Sequence, residues 1–198
     1  MSQTEKFSAV ESLALIESMI NKAQNKYSEN GTLYLLWGWV VFICAVLHYG
    51  LLTFTELGKS ASLVWLLTLL AMAYQLYYII TQQKKAKVKN YTDEIIGYVW
   101  MVFGICMGLV TLIISQLGTW QLLYAFILLF YGMPTFLTGA IMRFNPLKIG
   151  GLLCWTLSVC SVFVQGREII LLLIPAVLGA WIIPGYLLRA KFKNSNNG

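Results

Sequence analysis

Long apolar runs alternate with short polar intervals along this chain. Crossing about 30 Å of hydrocarbon takes roughly 20 residues at 1.5 Å rise per residue. Six runs approach that length: residues 32–54, 60–81, 95–117, 121–142, 149–164 and 169–188. The fifth is short, bounded by Lys148 on one side and by Gln165, Gly166, Arg167 and Glu168 on the other. As a span it requires local thinning of the bilayer or a snorkelling Lys148. The connections at 55–59, 118–120 and 165–168 are very short, which sets consecutive runs antiparallel. The pattern therefore predicts an all-α polytopic membrane protein, a bundle of six transmembrane helices built as three hairpins.

A different periodicity precedes the first run. In residues 8–27, Leu13, Ile16, Ile20, Ala23 and Tyr27 recur at spacings of three and four, which makes one apolar stripe on a helix. Ser8 and Glu11 have the spacing of a capping box, and Asn30 with Gly31 supplies a stop. Residues 1–31 are thus expected to hold an amphipathic helix, 32–188 the membrane domain and 189–198 a basic tail. The helix could lie on lipid headgroups, cover the inner mouth of the bundle or meet a cytoplasmic protein partner. A secretory signal is not expected in this region, which carries Glu5, Lys6, Glu11, Glu17, Lys22 and Lys26; the first apolar run then stays as an anchor.

Charge fixes the expected orientation. With the N-terminus inside, Lys6, Lys22, Lys26, Lys84, Lys85, Lys87, Lys89, Arg143, Lys148, Arg189, Lys191 and Lys193 fall on the inner side. Only Lys59 and Arg167 fall outside, and these two with the inner twelve account for all 14 basic residues. Because lysine and arginine resist translocation, both termini are expected in the cytoplasm. Lys84, Lys85, Lys87 and Lys89 are expected to contact lipid headgroups.

The composition agrees, with 59% hydrophobic and 11% charged residues. That is more apolar surface than a soluble domain of this size can enclose. The net charge of +6 then reads as lysines facing anionic lipid, and no nucleic-acid partner is expected. Cys44, Cys106, Cys154 and Cys160 all lie in apolar runs without zinc spacing, so they read as small apolar residues. Neither a metal nor a cofactor is expected.

Small residues mark where helices should approach one another. Gly31, Gly38 and Ala45 repeat every seven residues; Gly104 and Gly108 form a GxxxG; Gly150, Cys154 and Ser158 form a small-residue series, as do Ala176 and Ala180. Packing within one chain is the expected use of all of these, and a homo-oligomer is not indicated.

Chemistry is sparse. All eight acidic residues lie in the N-terminal segment or at helix ends, where Asp93 and Glu94 after Thr92 suit the positive end of a helix dipole. The one histidine, His48, lies about 24 Å along the first span from its inner end, near the outer interface. Pro134, flanked by Gly132 and Thr135, interrupts the fourth span, and Pro175 and Pro184 interrupt the sixth. Broken helices free backbone carbonyls that a substrate can satisfy. His48, Gln75, Gly132, Pro134, Thr135, Pro175 and Pro184 are therefore the residues from which a ligand cavity would be built.

The stretch from Ser28 to Val41, SENGTLYLLWGWVV, with His48–Tyr49 and the ending IPGYLLR from Ile183 to Arg189, resembles small uncharacterised multi-pass membrane proteins common in Bacteroidota. The resemblance implies a bacterial inner-membrane setting and no particular mechanism. With no acid, base and nucleophile able to converge, enzymatic activity is not expected. Two functions stay open: a non-enzymatic scaffold, sensor or regulator working through its cytoplasmic face, and a small transporter or permeation unit for a neutral or hydrophobic solute.

Overall fold

A computed structural model describes residues 31–56, 58–85 and 91–196, without the side chains of Lys59, residues 82–85 and residues 195–196. The expected amphipathic helix over 8–27, Lys87 and Lys89, and the side chains of Lys84 and Lys85 lie outside the described residues.

The described chain is helical from end to end. Helix α1 is Thr32–Phe54. Helix α2 opens as a 3-10 stretch, Gly58–Leu66, and runs on as the α-helix Leu67–Lys85. Then follow α3 (Tyr91–Leu117), α4 (Trp120–Ile141) and α5 (Asn145–Ser161). The last, α6, is compound: 3-10 over Gly166–Leu172, α over Leu173–Val177, π over Leu178–Ile182 and α over Ile183–Asn196. Its irregular parts precede Pro175 and Pro184, where the missing N–H breaks the α-helical ladder.

Five of these helices, α1 to α4 and α6, are long and apolar enough to cross a membrane. Their outward surfaces fit that reading, since Phe54, Leu70, Leu112, Leu122 and Ile183, one on each, are all more than half exposed. Only α5 falls short of the expected six. It has 17 residues, about 25 Å of rise, and begins at Asn145 rather than near Ile149 because Pro146 sits in its first turn, where the lost N–H had no helical partner. Helix α6 also outruns its expected end at Leu188, continuing to Asn196 through Ala190, Lys191 and Lys193, which are good helix formers.

Packing is uneven. In α6, 56% of the apolar window is buried, against 6% in α2 and 6% in α3. The core lies between α1, α4, α5 and α6, around Val41, Leu128, Leu147, Leu173, Ala176 and Ala180. Small residues let these four helices touch backbone to backbone. A methyl group added at Gly31 would stand 2.4 Å from the carbonyl oxygen of Gly185, and one added at Gly150 would stand 2.5 Å from that of Gly179. Gly38 meets Ile182, and Ala45 is fully buried, so the seven-residue seam of α1 lies on α6. Gly104 and Gly108 behave otherwise. Both are exposed with nothing within 4 Å of where a side chain would begin, so this GxxxG faces outward instead of packing within the chain.

Candidate functional site

Because α2 leans on α1 and α3 leans on α4, these two neighbours scarcely touch each other. A cleft of about 400 Å³ opens between them. Gln75, Leu76 and Ile79, toward the end of α2, form one wall. Asp93, Gly97 and Trp100 form the opposite wall because spacings of four and three keep them on one face of α3. Tyr34 and Trp37 from the start of α1 and Trp181 from the π segment of α6 close the back.

The aromatic back is rigidly set. Trp100 meets Tyr34 edge-on, with centroids 5.8 Å apart and planes at 76°. It meets Trp181 at 6.2 Å and 54°. Trp181 is itself fixed from behind: its indole N–H donates to the Thr135 hydroxyl at 3.0 Å, and that hydroxyl donates to the Tyr131 carbonyl at 2.7 Å. Tyr131 also lies 4.4 Å from the Trp181 ring, centroid to centroid. Across the cleft the Trp37 indole N–H donates to the Gln75 side-chain oxygen, which leaves the amide NH2 as that residue's donor. Among the described residues, the pocket has oblique aromatic faces, one amide and one carboxyl group.

No family model, curated protein or solved structure matches this chain. What the site can do must therefore come from its own chemistry. Among the described residues no three of histidine, cysteine, aspartate and glutamate stand together as a metal site would require.

The seven residues from which the sequence would build a cavity are not brought together. Gln75 alone among them lines this cleft. His48 is buried between α1 and α2, where its Nδ1 accepts the Trp65 indole N–H at 3.0 Å, a bond that requires Nδ1 to carry no proton. Gly132 lies under Trp155, and Pro134, Thr135 and Pro184 are fully buried in close packing. On the N-terminal side of Pro134, α4 is bound by α5: Trp155 donates to the Leu129 carbonyl at 3.1 Å, and Ser158 to that of Ala125 at 2.8 Å. Pro175, by contrast, is exposed on α6.

Sequence reasoning passed over Tyr34, Trp37, Trp100 and Trp181, and saw Asp93 only as a complement to the dipole of its helix. One signal was present. Asp93, Gly97 and Trp100 place a carboxylate, a gap and an aromatic ring on one stripe of α3.

Proposed function

We propose that this chain is a six-pass protein of the bacterial inner membrane, with both termini cytoplasmic. On this reading it binds a membrane-soluble ligand in the α2–α3 cleft and acts as a non-enzymatic sensor or regulator. The cleft is the observation that carries the reading. It is concave, mostly apolar and has a few polar groups, as small-ligand sites are. Its mouth is formed by apolar residues, Leu76 at 56% and Met101 at 57% exposure, so a ligand would enter sideways from the hydrocarbon rather than from water. The distribution of lysine and arginine supports the orientation, and with it α5 as the sixth crossing, because without that crossing Arg167 and the basic end of α6 would exchange sides. The cleft then lies in the cytoplasmic half of the bilayer, beside the segment that joins α2 to α3.

Permeation along the proline breaks draws no support from the packing, since Pro134 and Pro184 are sealed by neighbouring helices. Ligand binding is tested with a photoactivatable alkyl alcohol added to the purified protein in maltoside micelles. Labelling around Gln75–Ile79 and Ile96–Met101 should saturate, whereas labelling of the outer face around Ile105–Leu112 should rise in proportion to probe. In a Gly97→Leu variant the saturable component should vanish, because the new side chain enters the cleft with nothing within 4 Å to oppose it. The variant should melt no lower, since replacing an interior helical glycine gains up to about 1 kcal/mol. Proportional labelling at both places would defeat the reading.

A further inference from the structure

We propose that the ligand of this cleft is a neutral, planar conjugated ring that carries a carbonyl acceptor, with an apolar tail leaving toward the bilayer. The inference rests on the reading of the cleft as a ligand site and adds the chemical class. Three features of the geometry point to it.

The first is the hydrogen-bonding inventory of the walls. Asp93 and Tyr34 are already engaged within the protein. The Trp37 indole N–H is taken up by Gln75, and that of Trp181 by Thr135. Among the described residues that line the cleft, two groups are left over: the amide NH2 of Gln75 on α2 and the indole N–H of Trp100 on α3. Both are donors, and the amide cannot turn round, because the Trp37 N–H needs the oxygen as its acceptor. A ligand that brings a carbonyl oxygen satisfies a donor that a hydrocarbon would leave unpaired in an apolar pocket. Because the ligand is neutral, its recognition asks nothing of Asp93 or of any basic group.

The second is the aromatic enclosure. Trp100 is in ring contact with Tyr34 and Trp181 at the back, whereas Trp37 on the facing side makes no ring contact with it, and the cleft lies between. Trp37 and Trp100 are only half-buried, so both offer ring surface to an occupant. Aromatic pairs attract edge-to-face or offset through their quadrupoles, in addition to the area they bury. A saturated ring of the same size would gain equally from leucine or isoleucine walls.

The third is shape. Gly97 lies one turn before Trp100 and leaves the α3 backbone bare, with nothing within 4 Å of where a side chain would begin. A flat ring can lie against such a wall. The volume of about 400 Å³ is near the lower end of small-molecule sites, so it takes a ring and the start of a tail rather than a whole lipid. The rest of the tail leaves past Leu76 and Met101 at the apolar mouth.

The test is competition against the saturable photolabelling in maltoside micelles, with decyl benzoate, decyl cyclohexanecarboxylate and dodecylbenzene as competitors of matched length. The first has a planar ring and a carbonyl, the second a carbonyl on a puckered ring, and the third a planar ring without an acceptor. Decyl benzoate should displace the probe at about fivefold lower mole fraction than either of the others. A double variant, Gln75→Leu with Trp100→Phe, removes both donors and keeps every ring. In it the advantage over dodecylbenzene should fall to within about twofold, while the advantage over the cyclohexane ester stays. Trp37→Phe breaks the same Trp37–Gln75 bond but keeps both donors, and should keep both advantages. The ligand class is overturned, while the cleft remains a ligand site, if either matched competitor equals decyl benzoate in the wild-type protein or if the double variant keeps the carbonyl advantage. The same holds if Trp37→Phe loses that advantage as fully as the double variant does. Photolabelling that never saturates would overturn both readings.

Discussion

Adding one methyl group at Gly150 should destabilise the protein where the same change at Gly104 should not. At Gly150 the new Cβ would lie 2.5 Å from the Gly179 carbonyl oxygen and 2.6 Å from the Ala180 Cα. Both are backbone atoms of α6, so no rotamer change relieves the clash. Reaching ordinary contact at about 3.5 Å requires α5 and α6 to part by about 1 Å. Overpacking of this kind costs about 1–3 kcal/mol. At Gly104 the added Cβ meets nothing within 4 Å. Both positions lie inside helices, so each substitution also gains up to about 1 kcal/mol of helix propensity, and this gain cancels between the two. The gap between Gly150→Ala and Gly104→Ala therefore isolates the overpacking cost. For a chain of 198 residues it corresponds to roughly 2–12 °C in melting temperature. Paired thermal melts in one detergent measure it. Variants that melt together would refute the close approach of α5 to α6. A fall at Gly104→Ala instead would mean that the outward GxxxG is already in contact with a second molecule.

Thr135→Val keeps the side-chain volume nearly constant but removes the acceptor of the Trp181 indole N–H, which should cost about 1–3 kcal/mol in the same melts; an unchanged melting temperature would show that this bond does not fix the back of the cleft. For orientation, single cysteines at Glu56, Thr119 and Gln165 in a cysteine-free background should react with a membrane-impermeant reagent from outside intact cells, and one at Asn145 only after permeabilisation. Protection of Gln165 together with Asn145 would mean that α5 does not cross.

Much of the fold was legible because a membrane helix is selected for length and apolarity, both local properties. The expected bounds of α1 and α4 lie within one residue of those found, and the glycine seam of α1 was visible as a seven-residue repeat. The start of α5 was missed because Lys148 bounds the apolar run, whereas the helix begins before it at Asn145, with Pro146 fitting the first helical turn. The role of Gly104 and Gly108 was missed for a different reason. A GxxxG records that a helix can be approached closely, and only the arrangement of the other helices decides whether it is. The prolines misled in the same way, since whether an interrupted helix borders a cavity or a packed neighbour depends on residues such as Trp155 and Ser158, more than 20 residues further along the chain. The cleft was least legible of all. Tyr34, Gln75, Trp100 and Trp181 belong to four helices, and no local pattern in the chain links them.

The two halves of the molecule differ in how firmly they are tied, and this bears on how a bound ligand would be sensed. Helices α1, α4, α5 and α6 interlock through glycine contacts and through side-chain bonds to backbone carbonyls, as Trp155 and Ser158 make to α4. Helix α2 is joined to α1 by the Trp37–Gln75 and Trp65–His48 bonds, and α3 to α4 mainly by apolar contact, while the space between α2 and α3 holds the cleft. Among the described residues, separation of α2 from α3 therefore breaks few contacts. A ligand touching both walls binds best at one separation, and by differential affinity alone it shifts the population toward that separation. On the proposed topology the connection from α2 to α3 is cytoplasmic, so occupancy of the cleft would be expressed on that side. No channel through the rigid half and no chemical step is needed for that signal.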